Sequence, residues 1–223
     1  METQGPELSF TLLTMFHDGG YFMYPLVLCS LFALGVIIAK FYALWAARKS
    51  SLTVLDQVGE LIEKRKLDEA TQMAEETPGP VAAILLSGLR RVQQKDLSSD
   101  DVEKAIKTTG TIELGFLERG LPILATISNV APLLGFLGTV AGMIQAFAAI
   151  EAAGQVEASL VAGGIKVALI TTATGLLIAV PVNIAYNYFV TRIDKLIVDM
   201  ERGTDRILNL IWDLSAKPVV RPQ

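Results

Sequence analysis

Leu121–Ile150, LPILATISNVAPLLGFLGTVAGMIQAFAAI, runs for thirty residues without a charged side chain. At a helical rise of 1.5 Å per residue, this is long enough to cross the hydrocarbon of a bilayer. The stretch is not uniformly apolar, however. Thr126, Ser128, Asn129 and Thr139 interrupt it, and Gly135, Gly138 and Gly142 leave parts of its surface bare. A helix that only anchors a protein in lipid needs neither feature. A helix packed closely on other helices, beside a route for something polar, needs both.

Two more charge-free runs flank it, Gly19–Ala39 and Val167–Thr191. The chain has 223 residues, 52% hydrophobic and 19% charged, with a mean hydropathy of +0.47. A soluble domain would spread its apolar residues in periodic patterns, whereas here they gather in long runs. The expected fold is an all-α membrane protein with three transmembrane helices over residues 21–45, 120–150 and 161–190. Tyr21, Tyr24, Tyr42 and Trp45 are suited to the two interfaces of the first. Its length and the lack of a basic leader argue against a cleaved signal peptide.

Charge asymmetry sets the expected orientation. Residues 1–39 carry Glu2, Glu7 and Asp18 but no Lys or Arg, and the 151–160 connection has two Glu and no base. Residues 46–119 carry eleven basic side chains, and Arg192, Lys195, Arg202, Arg206, Lys217 and Arg221 follow the third run. The positive-inside rule puts the N-terminal segment (1–20) and the 151–160 turn outside, and residues 46–119 and 191–223 inside. Leu8, Phe10, Leu12, Leu13 and Phe16 suggest an amphipathic stretch along the outer surface.

The inner segment reads as helical. Leu52, Leu55, Val58, Leu61 and Ile62 follow a 3–4 spacing, Thr77-Pro78-Gly79-Pro80 marks a break, and Val81 resumes an amphipathic pattern. Ser98-Ser99-Asp100-Asp101, with Glu103 beyond, supplies a helix start. From Asp100 one long helix is expected to reach Ile150, bent near Gly120 and Pro122. Nothing between 46 and 119 resembles a nucleotide loop, and the segment suits a helical skirt that joins subunits or meets a partner.

The candidate functional residues lie in spans two and three. Gly138-Thr139-Val140-Ala141-Gly142 is a GxxxG, a spacing that lets helix backbones approach in lipid. Pro132, Gly135, Gly138, Gly142, Gly175 and Pro181 are read as packing and partner-contact positions. Each proline also frees a main-chain carbonyl inside a span. Thr139, Thr171, Thr172 and Thr174 are read as a shared polar lining on two adjacent antiparallel helices.

Asp, Glu and His are missing from both span interiors. Hydroxyls can line a hydrated route but do not titrate near neutral pH. Any proton carrier must therefore come from another chain. Lys40 and Lys166 are expected to snorkel to headgroups. The lone His17 reads as an interfacial side chain, and the single Cys29 as a packing residue. No nucleophile–base pair, metal spacing or cofactor motif is present, so an enzyme is disfavoured.

Ala131-Pro132-Leu133-Leu134-Gly135-Phe136-Leu137-Gly138-Thr139-Val140-Ala141-Gly142-Met143-Ile144, followed by Phe147, resembles the second-span signature of the MotA/TolQ/ExbB proton-channel family. Gly164-Ile165-Lys166-Val167-Ala168-Leu169-Ile170-Thr171-Thr172-Ala173-Thr174-Gly175-Leu176, then Ala179-Val180-Pro181 and Tyr186-Asn187, is similar to its third-span signature. Three spans with a large inner loop match the ExbB/TolQ branch, since MotA proteins usually have four. One position departs. The ExbB and TolQ pattern commonly has an acidic residue five positions before the second pore threonine, where this chain has Val167.

The resemblance implies a homopentameric ring in the bacterial inner membrane, without cofactors. It would enclose a dimer of an ExbD/TolR-like single-span protein whose Asp carries the proton. A TonB-like or other periplasm-spanning protein would receive the work, and Thr139 and Thr172 would correspond to the pore threonines. The expected function is a proton-channel stator subunit that converts proton-motive force into mechanical work. The alternative is a structural membrane scaffold that assembles a complex without conducting ions.

Overall fold

A computed structural model describes residues 14–93, 99–155 and 158–216. Among the described residues all regular secondary structure is helical. Its helices are α1 (Met23–Glu63), α2 (Leu67–Glu76), α3 (Pro80–Val92), α4 (Ser99–Glu118), α5 (Leu121–Ala153) and α6 (Ala158–Ala216). A short helical segment over 14–18 precedes them. Leu8, Phe10, Leu12 and Leu13 of the expected surface stretch lie outside the described residues, as do Ser98, Lys217 and Arg221.

Three helical stretches are long and apolar enough to cross a membrane: Met23–Glu63, Asp100–Ala153 and Val161–Asp205. The second is interrupted, which corrects the expectation of one bent helix from Asp100. α4 ends at Glu118 and α5 starts at Leu121. Gly120 takes φ 91°, a left-handed conformation that ends a helix. Pro122 sits in the first turn of α5, where its missing N–H costs no helical bond. The glycine stops one helix and the proline begins the next.

The chain divides into two compact units. One comprises residues 1–38 and 120–187, the other residues 39–119 and 188–223. In the first unit, Met23 and Leu26 of α1 are buried with Ala131 and Ala179, and Phe16, Leu134, Ile170 and Ile178 pack around them. Many large apolar side chains stay exposed, including Leu31, Leu133, Phe136, Leu177 and Ile184. Lipid or neighbouring subunits can take such a surface, whereas water would penalise it. Asp18, just before Gly19 and Gly20, pairs with Lys166 at 2.5 Å. Lys166 therefore has an intramolecular partner, where snorkelling was expected.

The second unit has a conventional apolar core. Val54, Val58 and Ile62 of α1 meet Ala70, Ala74, Val81, Leu85, Leu89, Val102, Ile106 and Met200 there. The register of α1 matches the 3–4 pattern, with Leu55 and Leu61 at the core's margin. The expected break is present, with Gly79 at φ 133° and Pro80 opening α3.

Lys40 departs from expectation. It is buried, and its Nζ donates to the main-chain oxygen of Leu117 at 2.7 Å. That oxygen belongs to the last turn of α4, whose carbonyls lack helical partners. A cation there also complements the negative end of the helix dipole.

Candidate functional site

The site is the seam between α5 and α6 within the first unit. Small residues build it. On α5, Ala131, Gly135, Gly138, Gly142 and Ala146 are all buried. On α6, Gly164, Ala168, Thr171, Gly175 and Ala179 are buried at the same 3–4 spacing. Without side chains between them, the two backbones meet. A Cβ added at Gly175 would lie 2.6 Å from the Ala131 oxygen, and one at Gly142 2.7 Å from the Gly164 oxygen. One at Gly164 would lie 2.6 Å from the Ala146 Cβ. Positions rising along α5 meet positions falling along α6, so the helices are antiparallel.

Of the expected packing residues, Gly135, Gly138, Gly142 and Gly175 lie in this seam. Pro132 is half-buried beside it, and Pro181 is exposed. Gly164 belongs to the seam but escaped the sequence reading of the site. Its 3–4 spacing from Ala168 and Thr171 was the available signal.

The four threonines do not share one surface. Thr171 is fully buried, with its side chain opposite Gly138, where any Cβ would collide with it. Its hydroxyl bonds back to the carbonyls of Val167 and Ala168 at 3.0 and 2.9 Å. Thr172 is half-buried, and its Oγ1 donates across the seam to the Gly135 oxygen at 3.1 Å. Thr139 is half-buried, and its hydroxyl bonds back to the Phe136 oxygen at 2.6 Å. Thr174 bonds back to the Ile170 oxygen at 2.8 Å.

Helix rotation fixes their sides. Each residue turns an α-helix by about 100°. Thr139 follows Gly138 by one position and Thr172 follows Thr171 by one. In antiparallel helices these equal steps bring both side chains to the same flank of the seam. Thr174, three positions after Thr171, turns to the other flank. Ile170 and Ile178 also lie there, and they pack on α1. The arrangement corrects the picture of a lining shared by all four. Thr171 is sealed in the seam, Thr174 faces the α1 side, and Thr139 and Thr172 share the open flank. Val167 is half-buried, with its Cγ1 3.7 Å from where a Cβ on Gly20 would lie.

Chemically, the open flank offers hydroxyls and main-chain oxygens but no titratable side chain. It can hold water and solvate a cationic or protonated group without taking up a proton itself.

The comparisons with known proteins cover the segment that contains this seam. The profile of the "MotA/TolQ/ExbB proton channel family" matches residues 76–202, which contain both helices of the seam. The chain is 32% identical over 192 residues to an ExbB homologue of Methanothermobacter thermautotrophicus, described as a biopolymer transport protein. That alignment covers 86% of this chain and 67% of the relative. It is 30% identical over 194 residues to the Tol-Pal system protein TolQ of Haemophilus influenzae, covering 83% of this chain and 85% of the relative. A further similarity, 41% over 91 residues, is to the biopolymer transport protein ExbB of Xanthomonas campestris, covering 41% of this chain and 36% of the relative. The chain belongs to the MotA/TolQ/ExbB proton channel family, in its ExbB/TolQ-like branch.

Proposed function

We propose that this chain is the ring-forming subunit of an inner-membrane motor that converts proton-motive force into mechanical work. The observation that carries the reading is the shared open flank of Thr139 and Thr172, hydroxyl-bearing and without an ionisable group of its own. Such a surface suits a carrier carboxylate on another chain. The partner in this reading is a dimer of an ExbD/TolR-like single-span protein, seated on the axis of a pentamer of this chain. The work is passed to a TonB-like or other envelope-spanning protein.

The physical logic is a differential solvation cycle. A charged carboxylate inside hydrocarbon is costly unless polar groups surround it. Beside Thr139 and Thr172 it is tolerated as the anion. After protonation it passes an apolar stretch at lower cost. One charge crossing the membrane supplies about 2.3 kcal/mol per 100 mV. A twofold partner cannot match five subunits at once, so successive protonations drive stepwise rotation.

The test is the double variant Thr139→Val, Thr172→Val, made in the chain with its partner. Loss of work that depends on proton-motive force, with assembly intact, is the expected result. Unchanged work in that variant would remove the role of this flank and favour a scaffold that assembles a complex without ion flux.

A further inference from the structure

Two more polar side chains recur on the open flank, at matching distances from the threonine pair. Ser128 precedes Thr139 by eleven residues on α5, and Asn183 follows Thr172 by eleven on α6. Eleven residues make three helical turns to within about 20°. Ser128 therefore returns to the face of Thr139, and Asn183 to that of Thr172. The helices are antiparallel, so both steps lead towards the same end of the spans, about 16 Å from the threonines. Asn187 lies one turn beyond Asn183 and slightly further round.

The local chemistry is polar at each of these points. Asn187 Nδ2 donates to Asn183 Oδ1 at 2.7 Å and to the Asn183 main-chain oxygen at 3.0 Å, and both residues are exposed. Ser128 is half-buried, with its hydroxyl bonded to the Ala125 oxygen at 2.9 Å. Pro132 has no N–H to give, so the Ser128 carbonyl lacks its helical donor. Asn183 also stands eight residues, about 12 Å, inside the charge-free run that ends at Thr191. Exposed amides at that depth are unfavourable against lipid, where polar groups find no water.

We infer that Ser128, Asn183 and Asn187 line a water-filled vestibule that continues the open flank of Thr139 and Thr172 to the Gly120 end of α5. Charge asymmetry predicts that this end faces the cytoplasm. The vestibule carries water and protons between the threonine pair and the inner solution. The inference rests on the proposed function for its purpose, but hydration of the flank can be measured independently of work output.

Cys29 is the chain's single cysteine, so Cys29→Ser provides a clean background for thiol labelling. Single variants Asn183→Cys and Asn187→Cys are compared with Leu177→Cys and Ile184→Cys, whose native side chains are exposed on the face turned away from α5. A charged, membrane-impermeant methanethiosulfonate is applied to inverted membrane vesicles that contain the assembled complex. Positions 183 and 187 are expected to react at least about tenfold faster than 177 and 184, because only hydrated thiols ionise and meet the reagent. Equal, slow rates at all four positions would overturn the vestibule.

Asn187→Leu and Asn187→Gln, each combined with Asn183→Cys, give a second reading. The leucine variant should slow labelling at position 183, which lies deeper than 187 from the inner solution, and the glutamine variant should preserve it. Leucine without effect on that rate would count against a continuous water file. The outcomes separate the two claims. Fast labelling with unimpaired work in the Thr139→Val, Thr172→Val variant defeats the motor role alone. Slow labelling with lost work in that variant defeats the vestibule alone.

Discussion

Thr172 Oγ1 donates to the main-chain oxygen of Gly135 at 3.1 Å, joining α5 to α6 across a seam of small, closely approached residues. The bond is possible because Gly135 brings its backbone against α6. A Cβ there would lie 3.0 Å from the Thr171 oxygen and 3.1 Å from the Thr172 Cα. One hydroxyl thus has two tasks, fixing the seam and giving its open flank a polar edge.

These tasks separate by substitution. Thr172→Val should cost about 0.5–1.5 kcal/mol of stability, the worth of one hydrogen bond between helices. Thr172→Ser keeps the donor and should retain most of both stability and work output. Thermal unfolding of the detergent-solubilised complex, read beside a transport assay, checks this pair. A serine variant as impaired as valine would show that the methyl group, not the hydroxyl, matters.

Thr174→Val should be nearly silent. The Thr174 hydroxyl is bonded to its own helix and turns to the flank that packs on α1. Valine has a similar shape there, and the Ile170 oxygen keeps its ordinary helical donor. Activity within about twofold of wild type is expected, since exposed or self-satisfied positions shift stability little. A Thr174 effect as large as that of Thr139 would restore the four-threonine lining.

Crowding at the seam predicts a contrast among glycines. Gly142→Ala and Gly164→Ala should each destabilise by about 1–3 kcal/mol, because the new methyl meets backbone or a Cβ rather than a flexible side-chain tip. Gly163→Ala adds a methyl with nothing within 4 Å in the subunit. It should lie within about 0.5 kcal/mol of wild type. Melting temperatures of the three variants, measured side by side, decide the matter, and equal losses would contradict the close approach.

Lys40→Met should loosen the end of α4. It removes the donor to the part-buried Leu117 oxygen, at a cost of about 0.5–1.5 kcal/mol. Faster proteolytic cleavage near Glu118–Leu121 is the expected sign. Cleavage at the wild-type rate would mean that Gly120 and Pro122 hold the interruption unaided.

Much of this architecture was legible in the sequence because the membrane demands long charge-free runs, and three are present. The break before Leu121 was half legible. Gly120 and Pro122 were seen, but a glycine admits a bend or a left-handed stop, and only the backbone angle decides between them. Lys40 was misread because snorkelling is available to any lysine near a span end, whereas its carbonyl partner lies 77 residues away. The threonines were read as one surface because they fall on two adjacent antiparallel helices, with Thr171, Thr172 and Thr174 close in sequence. Helical rotation separates such neighbours, sending Thr171 into the seam and Thr174 past it. The resemblance had already paired Thr139 with Thr172, and the contacts of Gly135, Gly142 and Gly175 supply the register that puts both on one flank.

Proton flux through the assembled complex tests the central claim most directly. The chain and its single-span partner are reconstituted in vesicles with an imposed pH gradient, and the internal pH is followed. Flux should fall to background in Thr139→Val, Thr172→Val and stay near wild type in Thr174→Val, with the oligomer intact in both. Undiminished flux in the double variant, or equal loss in Thr174→Val, would contradict a conduit formed on the flank that Thr139 and Thr172 share.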